Sequence, residues 1–487
     1  MPCLIGIDIG TTSTAGILIG IPDRVLATAS RPVTLSSPHP GWAEQDPRQW
    51  WSNTREIVRE LIRASGVAPA EIAGIGVAGM LPAIVLLDGS GSLLRPSIQQ
   101  SDGRCGDEVE ALRREVPEDV FLARTGNGIN QQLASCKLRW LERHEPGVFC
   151  RIATVFGSYD YVNWRLTGSR RIEQNWALEA GFVDIRENRV ADDLVALAHL
   201  PRPALPRMAA SHEVIGALSA QAAGETGLRE GTPVIGGAAD LVASALAAGV
   251  ERRGDILVKF GGAIDILTAS DRVVPDRRLF TDYHLVPGLY MPNGCMATGG
   301  SGLDWMAATF LGGEPHAALD NRAACVPAGS EGVSILPYFL GEKTPLHDPS
   351  ARGLVAGLSL SHGRGHVWRA LLEAYAYAVA HHMEVLADIG HSAERFRVSD
   401  GGSRSSTWMQ IVADVLQQPL GRLEGHPGSC LGAAWTAAVG TGNAPSWEGI
   451  GRFVHPKDTI QPNPGNAKVY GEGYARFRDL YLRLRGA

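Results

Sequence analysis

Two acids stand where apolar, glycine-punctuated runs end, and their settings suggest phosphate chemistry. The first is Asp8, in Leu4-Ile5-Gly6-Ile7-Asp8-Ile9-Gly10-Thr11-Thr12-Ser13. Two β-rich runs flank this turn, so it predicts a tight hairpin with one acid at its mouth. Gly10 permits close backbone approach, and the amides and hydroxyls of Thr11, Thr12 and Ser13 offer donors suited to a phosphate. Asp8 then lies where a hydrated Mg²⁺ would join a carboxylate to phosphate oxygens. An ordinary hairpin, with Asp and Thr serving only the turn, is the competing reading. The second acid is Asp240, which closes Thr232-Pro233-Val234-Ile235-Gly236-Gly237-Ala238-Ala239-Asp240 and precedes a small-residue helix to Val250. A third polar cluster, Ser101-Asp102-Gly103-Arg104, follows an apolar approach. A fourth, Ser399-Asp400-Gly401-Gly402-Ser403, opens a helix whose N-terminus suits a nucleotide.

The elements needed to position these groups are legible in outline. Asp46 and Pro47 mark a helix start, and Trp51, Ile57, Val58, Leu61 and Ile62 recur at helical spacing behind them. Runs 72–79 and 83–88 read as strands around a Met80-Leu81-Pro82 loop, and 160–168 as a helix ended by glycine. Residues 255–267 repeat the opening design of strand, glycine turn and strand. That echo suggests two similar domains facing a cleft. The second half is otherwise helix-rich, with a long buried helix over 366–387.

At 487 residues the chain is too long for one ordinary core and favours two domains. A formal net charge of −6, with 20% charged residues, gives no reason to expect a nucleic-acid partner. No run has the length of a membrane span, and the start of the chain enters a strand without a basic leader, so a cytoplasmic protein is expected. The seven cysteines are scattered and without a C-x-x-C pair, which reads as reduced thiols.

Taken in order, several stretches resemble the FGGY family of carbohydrate kinases, most closely the xylulokinases. They are Asp8-Ile9-Gly10-Thr11-Thr12, Trp42-Ala43-Glu44-Gln45-Asp46-Pro47, Asp102-Gly103-Arg104, Gly236-Gly237-Ala238-Ala239-Asp240, the run from Pro337 to Pro345, Asp348-Pro349-Ser350-Ala351-Arg352-Gly353, and Asp400-Gly401-Gly402-Ser403. The resemblance implies an α/β protein of two ribonuclease-H-like domains of the actin and hexokinase type, facing a central cleft. The sugar-binding domain would span 1–249 and the nucleotide-binding domain 250–487, with a closing joint near 249–254.

The same resemblance implies ATP and Mg²⁺ as cofactors and a small sugar as substrate, with D-xylulose the leading candidate; a homodimer is also expected. Asp240 would be the base and Asp8 the metal acid. Met80, Leu81, Pro82, Asp102 and Arg104 would meet the sugar. Gly10, Thr11, Thr12, Ser13, Gly261, Gly262, Gly300, Gly401, Gly402 and Ser403 would meet the nucleotide. Two positions depart from the family pattern. Pro82 replaces a histidine and has no side-chain hydrogen bond to offer. Gly261-Gly262-Ala263 lacks two hydroxyls usual in the second phosphate turn, although its amides can still cradle phosphate. Other acceptors of the ribulose, glycerol or erythritol type, and an actin- or Hsp70-like ATPase switch, are the alternative readings.

Overall fold

The computed structural model describes residues 1–426 and 428–485. Two seven-stranded sheets carry the fold. In the first, the opening strand Cys3–Ile9 pairs antiparallel with Ser13–Gly20, which pairs with Arg24–Pro32. On its other side the opening strand pairs parallel with Ile72–Gly79. Pro233–Ile235, Ala238–Ala239 and Val214–Ala217 complete the sheet. The second sheet repeats the plan. Asp255–Phe260 pairs antiparallel with Ile264–Thr268 and parallel with Arg395–Ser399, and Leu420–Leu423 extends it in parallel. The echoed hairpins are thus the centres of two ribonuclease-H-like units of the actin and hexokinase type. The opening strand is apolar but for Asp8, and Asp255–Phe260 is apolar but for Asp255 and Lys259.

The helix ends follow the chemistry of their sequence. Asp46 caps Pro47–Ser65, accepting from the Arg48 amide at 2.9 Å. Gly66 and Gly168, both with positive φ, end Pro47–Ser65 and Ser158–Thr167. No helix among the described residues is long and apolar enough to cross a membrane.

A boundary at 249/250 separates the strands of the two sheets but not the two cores. Helix Ser429–Gly440 comes from the second half of the chain, yet it packs on Cys3–Ile9, Ile72–Gly79 and Asp240–Ala247. Leu431, Ala434, Trp435 and Phe453 accordingly join the first core. Backbone proximity explains the sequence at this crossing. A Cβ on Gly6 would lie 1.9 Å from the Cys430 carbonyl oxygen, and one on Gly432 2.1 Å from that of Ala243. Side chains at either position would force the layers apart.

Candidate active site

A cleft of about 430 Å³ lies between the sheets, and Asp8 and Asp240 both line it. Asp8 is the penultimate residue of the opening strand, directly before the Gly10 turn. The turn closes through the Gly10 amide to the Ser13 carbonyl at 3.0 Å. Gln45 braces it, donating from Nε2 to the Thr11 carbonyl at 2.7 Å while accepting from Trp50 Nε1. That contact gives the Trp42–Pro47 motif one physical purpose. Thr11 lines the cleft; Thr12 is exposed outside it, and Ser13 starts the next strand.

Asp240 starts the helix Asp240–Ala247, and its Oδ1 accepts from the Leu241 amide at 2.6 Å. The Gly236-Gly237 step makes this possible. Gly237 has φ +103°, and a Cβ there would meet the Val77 carbonyl oxygen at 2.5 Å. Burial raises the Asp240 carboxyl above the usual carboxylate range, while Lys259 opposes that rise. Asp8 is pushed up to about 7 by burial and by the charge of Asp240, with the Ser429 hydroxyl and Lys259 pulling the other way.

One oxygen of Asp8, Oδ2, accepts from Ser429 Oγ at 2.6 Å, whereas Oδ1 is buried without a hydrogen-bond partner. An unpaired anionic oxygen beside a second carboxylate fits a hard divalent cation that keeps most of its waters. Asp8 is the residue that would hold Mg²⁺ here, with the Asp240 carboxyl close by.

The second glycine turn approaches from the other sheet. Lys259 and Asp265 are cross-strand partners just before and after it, and both side chains line the cleft. The carbonyls of Gly261 and Gly262 receive the amides of Gly300 and Gly299 at 2.8 and 2.7 Å, so the Gly300 amide is already engaged. A Cβ on Gly261 would lie 3.4 Å from Asp400 Oδ2, which brings the loop at 400–403 alongside this turn. Within that loop Gly401 is exposed. Gly402 is held where a Cβ would strike Trp408, and the Ser403 hydroxyl donates to the Asp400 carbonyl at 2.8 Å.

In the 80–82 loop, Met80 and Leu81 line the cleft. Pro82 follows a cis Leu81–Pro82 bond and is not among the lining residues. Asp102 and Arg104 require a correction, because both side chains are fully buried and neither reaches the cleft. Asp102 accepts from the Ala43 and Arg104 amides and from the Arg104 guanidinium. Arg104 also pairs with Glu44 and stacks at 3.7 Å on Trp42. The pair is an internal strut tying the 42–45 segment to 102–104.

Several lining residues gave no motif signal. Gln100, Gln132, Glu179, Lys259, Asp265, His426 and Ser429 all face the cleft, as does Asp400 of the 399–403 motif. Of these, Lys259 and Asp265 were the most findable, as charges set inside apolar strands. His426 Nδ1 accepts from the Gly428 amide at 2.8 Å and Nε2 faces the Ser244 carbonyl at 2.9 Å, an arrangement that fixes the Nε2–H tautomer.

Known proteins resemble this chain over almost its whole length. The model for the N-terminal domain of the FGGY family of carbohydrate kinases matches residues 3–247, and that for the C-terminal domain matches 263–441. A xylulose kinase of Escherichia coli (strain K12) is 31% identical over 483 residues, spanning 99% of each chain. An L-xylulose/3-keto-L-gulonate kinase of the same organism is 28% identical over 498 residues, covering 99% of this chain and 97% of its own. The crystal structure of a xylulose kinase from Rhodospirillum rubrum, 57% identical, superposes with a TM-score of 0.95 over 99% of each chain. The chain belongs to the FGGY family of carbohydrate kinases and is a xylulokinase-like phosphotransferase with an alcohol group as acceptor.

Proposed function

We propose that the protein transfers the γ-phosphoryl group of ATP to a ketopentose, converting D-xylulose to D-xylulose 5-phosphate. The observation that carries this reading is Asp240, a carboxylate held by one backbone amide on the cleft floor beside the phosphate turn of Asp8. The sugar hydroxyl oxygen attacks phosphorus and the bond to ADP breaks. The hydroxyl proton passes to Asp240. Phosphoryl transfer asks the protein mainly to align the two oxygens and to neutralise charge, so a rigid carboxylate at a helix start is well suited. Burial raises the pKa of Asp240, which strengthens it as a base, and Lys259 opposes that rise.

Asp8 would hold the cation that, when bound, neutralises phosphate oxygens. Thr11 and the amides around Gly10, with those of Gly261 and Gly262, would cradle phosphate, and Gly401 would contact the nucleotide. Met80 and Leu81 would pack against the carbon face of the sugar.

Another ketose acceptor is the second reading. It is favoured by Pro82, which leaves the sugar loop without the family's side-chain donor, and one of the relatives is named for L-xylulose and 3-keto-L-gulonate.

Measuring ADP release against a panel of ketoses and polyols tests both readings. D-xylulose is expected to give the highest kcat/KM. Asp240→Asn keeps the acceptor oxygen for Leu241 but cannot take a proton, so it should lower kcat by about 10²–10⁴-fold while nucleotide binding persists. A variant with more than about a tenth of the wild-type rate removes Asp240 from the base role.

A further inference from the structure

Glu179 is an acid whose position has no local structural explanation. It ends the helix Gln174–Glu179 and lines the cleft with Asp240, Met80, Leu81 and Gln132. Its carboxylate makes no hydrogen bond and no ion pair with the described residues. Neighbouring acids have partners in contrast, although Oδ1 of Asp282 is left without one. Glu173, at the other end of the same helix, accepts from Tyr159, Ser211 and the amides of Asn175 and Trp176. Asp282 accepts from Asn293 at 2.9 Å. Burial and the charge of Asp240 push Glu179 up to about 7. Glu179 is half-buried and has no partner among the described residues, which leaves its carboxylate open to a ligand in the cleft.

The helix that carries it is held from three sides. Trp176 donates from Nε1 to the carbonyl of Ala83 at 2.8 Å, fixing it to the sugar loop. Asn175 donates to the Tyr283 carbonyl at 3.0 Å and accepts from the Tyr283 amide at 2.7 Å, fixing it to the second sheet. Glu173 caps its start. The carboxylate is therefore presented into the cleft by a braced element, next to a sugar loop whose Pro82 supplies no side-chain hydrogen bond.

We infer that Glu179 is a specificity-determining residue that binds a hydroxyl of the acceptor sugar and thereby turns the reacting hydroxyl toward Asp240. This rests on the sugar-kinase reading given above. A carboxyl group accepts from a hydroxyl when ionised and can also donate when protonated, so it pairs with a polyhydroxylated ligand in either state. A site built to hydrogen-bond a hydroxyl rejects an analogue lacking it, because its own polar group is then left unpaired.

Steady-state kinetics with the full-length protein test the inference, using Glu179→Gln and Glu179→Ala. The probes are the best ketose of the panel and its monodeoxy analogues. Glu179→Ala is expected to raise KM for the parent sugar by about 10–100-fold, with a smaller change in kcat. Glu179→Gln, which keeps the shape and one acceptor oxygen, is expected to recover part of that loss. One deoxy analogue, lacking the contacted hydroxyl, should show the same KM with wild type and Glu179→Ala. Thermal melts check that both variants fold. A KM within about twofold of wild type for every sugar in both folded variants overturns the inference, as does an equal loss for the parent and all analogues. If the wild type turns over no ketose or polyol, the kinase reading falls and this inference falls with it; turnover indifferent to Glu179 overturns the inference alone.

Discussion

Replacing Asp8 by Asn should stabilise the ligand-free protein at pH 8 while abolishing its use of Mg²⁺–ATP. The Asp8 carboxyl is held at about 7 in the fold, against an ordinary value of 3.8. Because the folded value is the higher one, the stability contributed by Asp8 is fully present below pH 3.8. It is lost as pH rises through 7. At 1.36 kcal/mol per unit, full ionisation costs about 4 kcal/mol, and screening by water in the open cleft brings the expected figure to about 2–4 kcal/mol. Asn escapes this cost. Its oxygen still accepts from Ser429 Oγ, and its uncharged amide takes the place of the unpartnered Oδ1. Urea unfolding of both proteins at pH 5, 6.5 and 8, without nucleotide or divalent ions, measures the difference. The advantage of Asp8→Asn should grow from pH 5 to about pH 7 and then level off, and calorimetry should show Mg²⁺–ATP binding weakened more than sugar binding. An advantage that does not grow between pH 5 and 8 would refute the electrostatic account. Unchanged Mg²⁺–ATP affinity would refute the assignment of Asp8 as the cation's ligand.

Asp102→Asn should destabilise the fold by about 3–5 kcal/mol, since it strips charge from a fully buried pair, and leave KM for the sugar within about twofold; urea melts and kinetics read both. A raised KM in a stably folded variant would return Asp102 to the sugar site. Lys259→Gln removes the cation that lowers the Asp240 pKa, so the acid limb of the kcat/KM profile should move to higher pH. An unmoved limb would mean that another group titrates there. Sugar plus a nonhydrolysable ATP analogue should reduce the radius of gyration in small-angle scattering, because Asp8 and Asp240 lie on one side of the cleft while Lys259 and Asp400 lie on the other. An unchanged radius at saturation would argue against closure.

The parts of the site that were legible in the sequence are those built from neighbours along the chain. The hairpin around Gly10 announces itself because strand, turn and acid lie within about a dozen residues, and the 255–267 echo does so for the same reason. Asp240 is marked by the Gly-Gly step, whose need is local. The Asp102–Arg104 pair was read as a ligand contact because a short charged motif after an apolar run looks like one. Its true partners, Trp42, Ala43 and Glu44, lie about 60 residues away, and only the fold reveals that they consume every charge. Glu179 and Ser429 carried no signal at all. Each reaches the cleft through tertiary packing, one from a short helix and one from a segment 421 residues from the acid it touches.

The helix Ser429–Gly440 has a consequence for how the molecule comes into being. Synthesis runs from the N-terminus, so the first sheet, whose last strand ends at Ala239, is made well before the helix that covers Gly6 and Gly76, which begins only at Ser429. Until then one apolar face of that sheet stays uncovered, a condition that favours aggregation and chaperone capture. Nor can the chain be cut at 249 into two independent proteins, since the N-terminal piece would lack its closing layer and Asp8 its hydroxyl partner. Supplying residues 429–453 in trans, or permuting the chain so that they precede Met1, would let the first unit finish folding by itself.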